Sequence, residues 1–358
     1  MIDLAMRPLS RLGGLLLACA FGFASAQEPS TGSGTGFDPI ARRYELGHGL
    51  PLGDTGAVLG GYGTISAGDD RDTDWRVGVD SLSAFLWWDN GGSWHFFSET
   101  ELEDSLVAEP GRFTSKEAEV ELERFYVDYT PADALKFRVG KFLTPVGRWN
   151  LIHASPLVWT TARPLITETT FPTNATGLMV YGTLPFTANG VEYSLYYSPG
   201  TELARDRDID TFEDAFGGRL VLSPLPHTEL GLSYANFEQR QSPDDRKNLY
   251  GIDFAWSRWR WEVSGEFHYR VTSSRFEDRD EQGLYVQAVA PLTARWYAVA
   301  RYETFRRSGA ERDINVYLGG VNFRPRPAVV LKAEYSSATD TDDIEVRDGL
   351  LFSLAVLF

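Results

Sequence analysis

Trp259–Arg270, WRWEVSGEFHYR, decides the fold. In an extended chain successive side chains point to opposite sides. That rule puts Trp259, Trp261, Val263, Phe267 and Tyr269 on one face, and Arg260, Glu262, Ser264, Glu266, His268 and Arg270 on the other. The ionic row cannot face hydrocarbon, and a soluble core would not bury it unpaired. A water-filled lumen accepts it. The segment therefore predicts one strand in the wall of a membrane pore, with its aromatic side toward lipid and its ionic side toward water.

The same period of two recurs on either side. In Val191–Ser198 one face carries Val191, Tyr193, Leu195 and Tyr197, the other Glu192, Ser194 and Ser198. In Tyr250–Trp256 one face is Tyr250, Ile252, Phe254 and Trp256. Strands begin near Gly56. Short turns are read at Asn90-Gly91, Pro131–Asp133, Asn189-Gly190, Leu225-Pro226, Ser257-Arg258, Pro291-Leu292 and Pro325–Pro327. Between them lie more polar connections near Asp69-Asp70, Pro110-Gly111, Gly200–Asp210, Pro243–Arg246, Glu277–Asp280, Ser308–Arg312 and Thr339–Asp343. Short turns on one rim and longer charged loops on the other are the asymmetry of an outer-membrane barrel, and the marks give about sixteen strands, an even number as such barrels require. A β-sandwich or β-propeller would explain the alternation but neither the rim asymmetry nor the ending. The last strand places Leu350, Phe352, Leu354, Val356 and Phe358 on one face and stops at Phe358. Pairing it with the first strand closes the sheet and leaves no edge in lipid.

The composition agrees. The 358 residues include 10 Trp, 16 Tyr and 22 Phe, yet no stretch after the first 26 residues approaches the apolar run a spanning helix needs. Those 26 residues read as a secretory signal: Arg7 and Arg11, a short apolar core from Leu15 to Phe23, then Ala24-Ser25-Ala26 before the cut. Leu16–Cys19 loosely resembles a lipobox, a second reading of the same segment. Cys19 is the single cysteine, so a mature chain without it has no disulfide, thiol nucleophile or cysteine metal site. Losing Asp3, Arg7 and Arg11 with the signal moves the formal net charge from −16 to −17, which disfavours nucleic acid as a partner. The expected organisation is a signal peptide at 1–26, a flexible leader or short periplasmic element at 27–50, and one barrel domain at 51–358.

One stretch breaks the pattern. Phe142–Thr173, FLTPVGRWNLIHASPLVWTTARPLITETTFPT, has no clean period and is interrupted by prolines at 145, 156 and 164. So long an irregular segment in a compact domain is usually functional. It is expected to fold into the lumen and narrow it, with Arg148, Trp149, Asn150, His153, Trp159, Arg163 and Glu168 at the constriction. Trp149 and Trp159 either pack the loop onto the wall or offer a stacking surface to a sugar or aromatic solute.

The order of parts resembles the sixteen-stranded Gram-negative porins. Phe358 on an alternating strand matches the terminal phenylalanine that their assembly machinery reads, and the long segment is the third external connection, the one that enters the pore in that family. RVGKFLTPVGRWN, Arg138–Asn150, is also similar to the phosphate-selective O/P-type porins. The resemblance implies a homotrimer in the outer membrane, in contact with lipid and lipopolysaccharide, without a cofactor. The usual porin loop is acidic and faces arginines; this one carries Arg148 and Arg163, with Glu168 its only acid.

Expected lumen-wall residues are two acidic rows, Glu99, Glu101, Glu103 and Glu117, Glu119, Glu121, next to Lys136 and Arg138. Either these charges neutralise one another on a solvated face, or Arg148 and Arg163 bridge to the acidic wall and set up a transverse field. Arg260, Arg270, Arg301 and Lys332 are further wall candidates, but interleaved Glu262, Glu266, Glu303 and Glu334 argue against a phosphate-type basic ladder. Total charge favours a mild cation preference. A substrate-selective channel for anions, phosphate or sugars is the alternative, and a barrel enzyme the more distant one. The five histidines sit in no nucleophile motif and show no metal-ligand spacing; His153 beside Ser155 is the one pairing of note. No catalytic or metal residue is assigned.

Overall fold

The computed structural model describes residues 44, 46–70, 73–115, 118–152, 154–187, 189–203, 210–274, 278–340, 346 and 348–358. The expected signal peptide, most of 27–50, Glu117 and His153 lie outside the described residues. All described residues belong to one compact unit, Arg43–Phe358.

Sixteen antiparallel strands form a closed barrel. In chain order they are β1 (Ala57–Asp70), β2 (Thr73–Asp89), β3 (Trp94–Glu109), β4 (Glu119–Ala132), β5 (Leu135–Leu143), β6 (Asn174–Leu184), β7 (Val191–Ser198) and β8 (Phe212–Leu222). The circuit continues with β9 (Thr228–Gln239), β10 (Ser242–Arg258), β11 (Trp261–Ser273), β12 (Asp278–Pro291), β13 (Trp296–Arg306), β14 (Ile314–Arg326), β15 (Val329–Thr339) and β16 (Gly349–Leu357). Two short pieces are added to this sheet: Leu50–Pro51 pairs with β1, and Arg112–Thr114 with β3. No helix among the described residues is long and apolar enough to cross a membrane.

Register keeps the two faces distinct, because residues directly opposite in neighbouring strands share a side. One cross-strand row runs Val180, Leu195, Gly218, Tyr234, Tyr250, Tyr269. On this apolar face Leu178, Leu195, Leu232, Tyr250 and Ile252 are at least half exposed. Another row runs Asp253, Glu266, Tyr285, Glu303, and all four side chains are buried. Trp87, Trp88, Trp94, Trp259, Trp261 and Trp296 are exposed near the short turns, as an interfacial girdle requires.

Closure is made by β16 on β1, from Leu351 opposite Gly68 to Leu357 opposite Tyr62. Phe358 extends it: its N–H donates to Gly61 O at 2.8 Å and its carbonyl accepts from Gly61 N at 2.9 Å. Deleting Phe358 removes both bonds, about 2 kcal/mol at about 1 kcal/mol each. The midpoint at which the barrel loses its compact mobility on a heated SDS gel should fall; an unchanged midpoint would contradict this account of the seam.

Most short turns fall where expected, but the one read at Ser257-Arg258 lies inside β10 and is made two residues later, and two other local expectations do not hold. The connection placed at Pro243–Arg246 lies inside β10, and the chain turns at Arg240-Gln241 instead. Asp244 adopts φ 71° and absorbs the irregularity within the strand. Arg260 is not on the polar face of β11: Trp259 and Arg260, with φ 53° and 68°, form the two-residue turn before it. Its guanidinium donates to Thr293 O and Ala294 O and sits 4.7 Å from the centre of the Tyr297 ring.

Candidate functional site: a loop held by the polar face

Among the described residues of 144–173, between β5 and β6, there are two helical turns, α1 (Trp149–Ile152) and α2 (Leu165–Thr169). A segment with so little secondary structure leaves many backbone N–H and C=O groups without intrasegment partners, and burying them requires partners elsewhere. Charged and amide side chains of the barrel's polar face supply them.

Glu266 on β11 is fully buried, and its Oε1 accepts from Arg148 N (3.0 Å), Trp149 N (2.5 Å) and the Tyr285 hydroxyl (3.0 Å). Gly147 makes that approach possible: its φ is 64°, and a Cβ there would lie 2.1 Å from Glu266 Oε2. Beside it, His268 Nδ1 is 2.9 Å from Thr170 Oγ1. Arg270 donates to the carbonyls of Thr169 and Thr170 and forms an ion pair with Glu281. On β13, Glu303 accepts from Leu165 N at 2.7 Å, and Arg301 donates to Thr160 Oγ1 and Ala162 O. On β15, the two oxygens of Glu334 take the N–H groups of Thr161 and Ala162, while Lys332 donates to Ser155 O and Thr160 O. Asn322 and Arg324 on β14 donate to Trp159 O and Pro156 O, and Thr161 Oγ1 lies 2.6 Å from Ser353 Oγ on β16. The segment is thus held by consecutive strands from β13 to β16, and by β11.

Apolar contacts reinforce the hold. Trp149, Leu165 and Ile166 cluster with Tyr285, Phe305 and Ile314, while Val146 and Phe171 cluster with Phe142, Tyr196 and Phe237. Asn150 ties the neck: its amide donates to Thr144 O and Thr173 O, and Thr144 N donates to Thr173 O. Arg163 lies 5.0 Å over the Trp149 ring and donates to Asn150 Oδ1 and Thr167 O. Trp159 stacks with the Arg324 guanidinium at 4.6 Å and meets Tyr297 at 5.0 Å. Both tryptophans therefore pack the segment onto the wall.

The acidic rows lie elsewhere. Glu101 stands directly opposite Glu121, and Glu103 opposite Glu119, across β3 and β4. Like charges so placed repel. They are relieved locally: Arg124 pairs with Glu99, Lys141 with Glu121, and the Tyr62 hydroxyl donates to Glu101. Arg138 forms a two-pronged pair with Asp128, both bonds at 2.8 Å. The expected bridge from the loop arginines to these rows is not made: Arg148 pairs with Glu229 on β9 at 2.6 Å, and Arg163 bonds within the loop. The loop's N–H groups are taken instead by carboxylates on β11, β13 and β15.

No protein-family model matches the chain. A protein from Aquifex aeolicus strain VF5, itself of uncharacterised function, is 25% identical over 333 residues, covering 78% of this chain and 75% of that one. Among solved structures, the anion-selective porin from Comamonas acidovorans superimposes with a TM-score of 0.60 at 14% identity, covering 84% of this chain and 98% of the porin. OmpF of Salmonella typhi, in complex with daunomycin, gives 0.62 at 11% identity over 84% and 97%. The chain has a porin-like fold.

Within this porin-like barrel, sequence reading found Arg270, Arg301 and Lys332 but took them for water-exposed wall residues. It placed Glu266 in the ionic row of its strand and named Glu303 and Glu334 as interruptions of a basic ladder, although all three accept the loop's N–H groups.

Proposed function

We propose that this protein is an outer-membrane porin, a passive diffusion channel for small hydrophilic solutes or ions whose lumen is narrowed by residues 146–173. The observation that carries this reading is the address of the loop's contacts. They are made with polar-face side chains of the closed barrel, whose opposite face presents an exposed apolar belt. A polar face inside a closed barrel is a lumen, and a segment bound to it lies in the path of solutes. No chemistry is required of such a channel: water fills the tube, and loop and wall discriminate by size and charge. Outer-membrane lipid and lipopolysaccharide surround the belt, the C-terminal strand ending in Phe358 engages the assembly machinery, and the barrel associates as a homotrimer.

Purified protein added to a planar bilayer under a salt gradient should give stepwise ohmic conductance with a measurable reversal potential. Protein that stays monodisperse in buffer without detergent and gives no steps would end the proposal.

A pH dependence accompanies it. Glu168 presents its side chain to solvent but is ringed by protein, which pushes its pKa from 4.5 up to about 7 against the pull of Arg163. Because the folded value lies above the ordinary one, the ionised form is the disfavoured form in the fold: stability is full below about pH 4.5 and declines as pH rises through about 7. Solvent contact keeps that stability change small, so the charge change is the better readout. From pH 8 to pH 6 the reversal potential should move toward anion preference, and Glu168→Gln should abolish the step. A step that persists in the variant would assign it elsewhere.

A further inference from the structure

With the loop held by the far strands, a cavity of about 440 Å³ remains between its near side and β4–β8. Four cations line it: Arg124, Lys136, Arg138 and Arg219. Three of them are fixed from behind by carboxylates, Arg124 by Glu99, Arg138 by Asp128 and Arg219 by Asp253. None of those three acids lines the cavity, so the guanidinium groups stand between them and the space. Lys136 differs. Its ammonium lies 5.9 Å over the Tyr181 ring, with no carboxylate among the described residues within ion-pair distance. Glu192 is the acid of the described lining. Lys136 is therefore the lining cation, among the described residues, whose charge is not already met by a carboxylate.

Leu143, Pro145, Leu151 and Met179 also line the cavity, and they give it a greasy side. Inorganic phosphate, which needs donors all round, would lose hydration on that side without replacement. A neutral sugar would leave the Lys136 ammonium, which meets only the Tyr181 ring, without an anionic partner. We infer that this cavity binds an amphipathic organic anion, a carboxylate on an apolar body, with the carboxylate toward Lys136 and Arg138 and the body against Leu143, Pro145 and Leu151. The inference rests on the reading of the protein as a pore. A volume of 440 Å³ falls in the usual range for small-molecule sites, about 300–1,000 Å³, and accommodates a single aromatic ring with its carboxylate.

The test is block of ionic current in planar bilayers by sodium benzoate, inorganic phosphate and glucose, each added to wild type. Benzoate should reduce the chloride current at a concentration at least about tenfold lower than the other two, about 1.4 kcal/mol in affinity. Lys136→Gln and Leu151→Asn should each raise the half-blocking concentration of benzoate. An open channel that benzoate does not block, or that phosphate blocks as well, overturns the inference and leaves the pore intact. Loss of block in Lys136→Gln but not in Leu151→Asn also overturns it, because a plain anion site would behave so. A folded barrel that carries no current overturns the pore reading itself.

Discussion

Replacing Glu266 with alanine should free the start of the loop and raise single-channel conductance severalfold while lowering barrel stability. One buried carboxylate oxygen receives the N–H groups of Arg148 and Trp149 and the Tyr285 hydroxyl. Each donor left buried without an acceptor costs about 1–3 kcal/mol, so the loop escapes that cost best by leaving its seat and meeting water. Glu266→Gln keeps one acceptor oxygen but loses the charge that strengthens these bonds, and should fall between wild type and alanine. Conductance and urea-unfolding midpoints measured on the same preparations decide the matter. Wild-type conductance in the alanine variant would remove Glu266 from its place as the clamp.

The second large effect concerns Arg301 and Glu303, whose side chains are 1% and 3% exposed and 2.7 Å apart. Removing one member of a buried ion pair leaves an uncompensated charge and costs about 3–5 kcal/mol. Arg301→Met should therefore be severely destabilised, and Arg301→Met combined with Glu303→Leu should be less destabilised than Arg301→Met alone. The double variant still lacks the acceptor for Leu165 N and the donor to Ala162 O, so it should not reach wild-type stability. Heat-modified gel mobility across the four proteins of the cycle measures the coupling. Additive losses would mean that the two charges do not depend on one another.

Much of the wall was legible because a period of two is written into each strand separately. The face that holds Trp261, Phe267 and Tyr269 could be read from twelve residues, and six of the seven short turns and the final Phe358 from their own neighbours. What escaped was nonlocal or backbone-driven. The Trp259-Arg260 turn uses two positive φ values without the Asn-Gly signature such turns favour, so Arg260 was read as part of the strand. The partners of Glu266, Glu303 and Glu334 are backbone N–H groups of a segment more than 100 residues earlier in sequence. No side-chain pattern announces an N–H donor. One of the two readings of the acidic rows had Arg163 reach them, whereas a local amide, Asn150, and the Trp149 ring hold it. Charge counts along a strand identified a polar face but not which of its charges water would meet.

The central claim is that residues 144–173 stand in the solute path of a water-filled tube. Leu151 is an exposed position on that loop and lines the remaining cavity. With Cys19 removed, Leu151→Cys carries a single thiol, so a charged methanethiosulfonate reagent modifies one site in each barrel. The account predicts a discrete fall in current through open channels as each barrel is modified. Protein shown by mass to be fully labelled, yet conducting like the unlabelled channel, would contradict it.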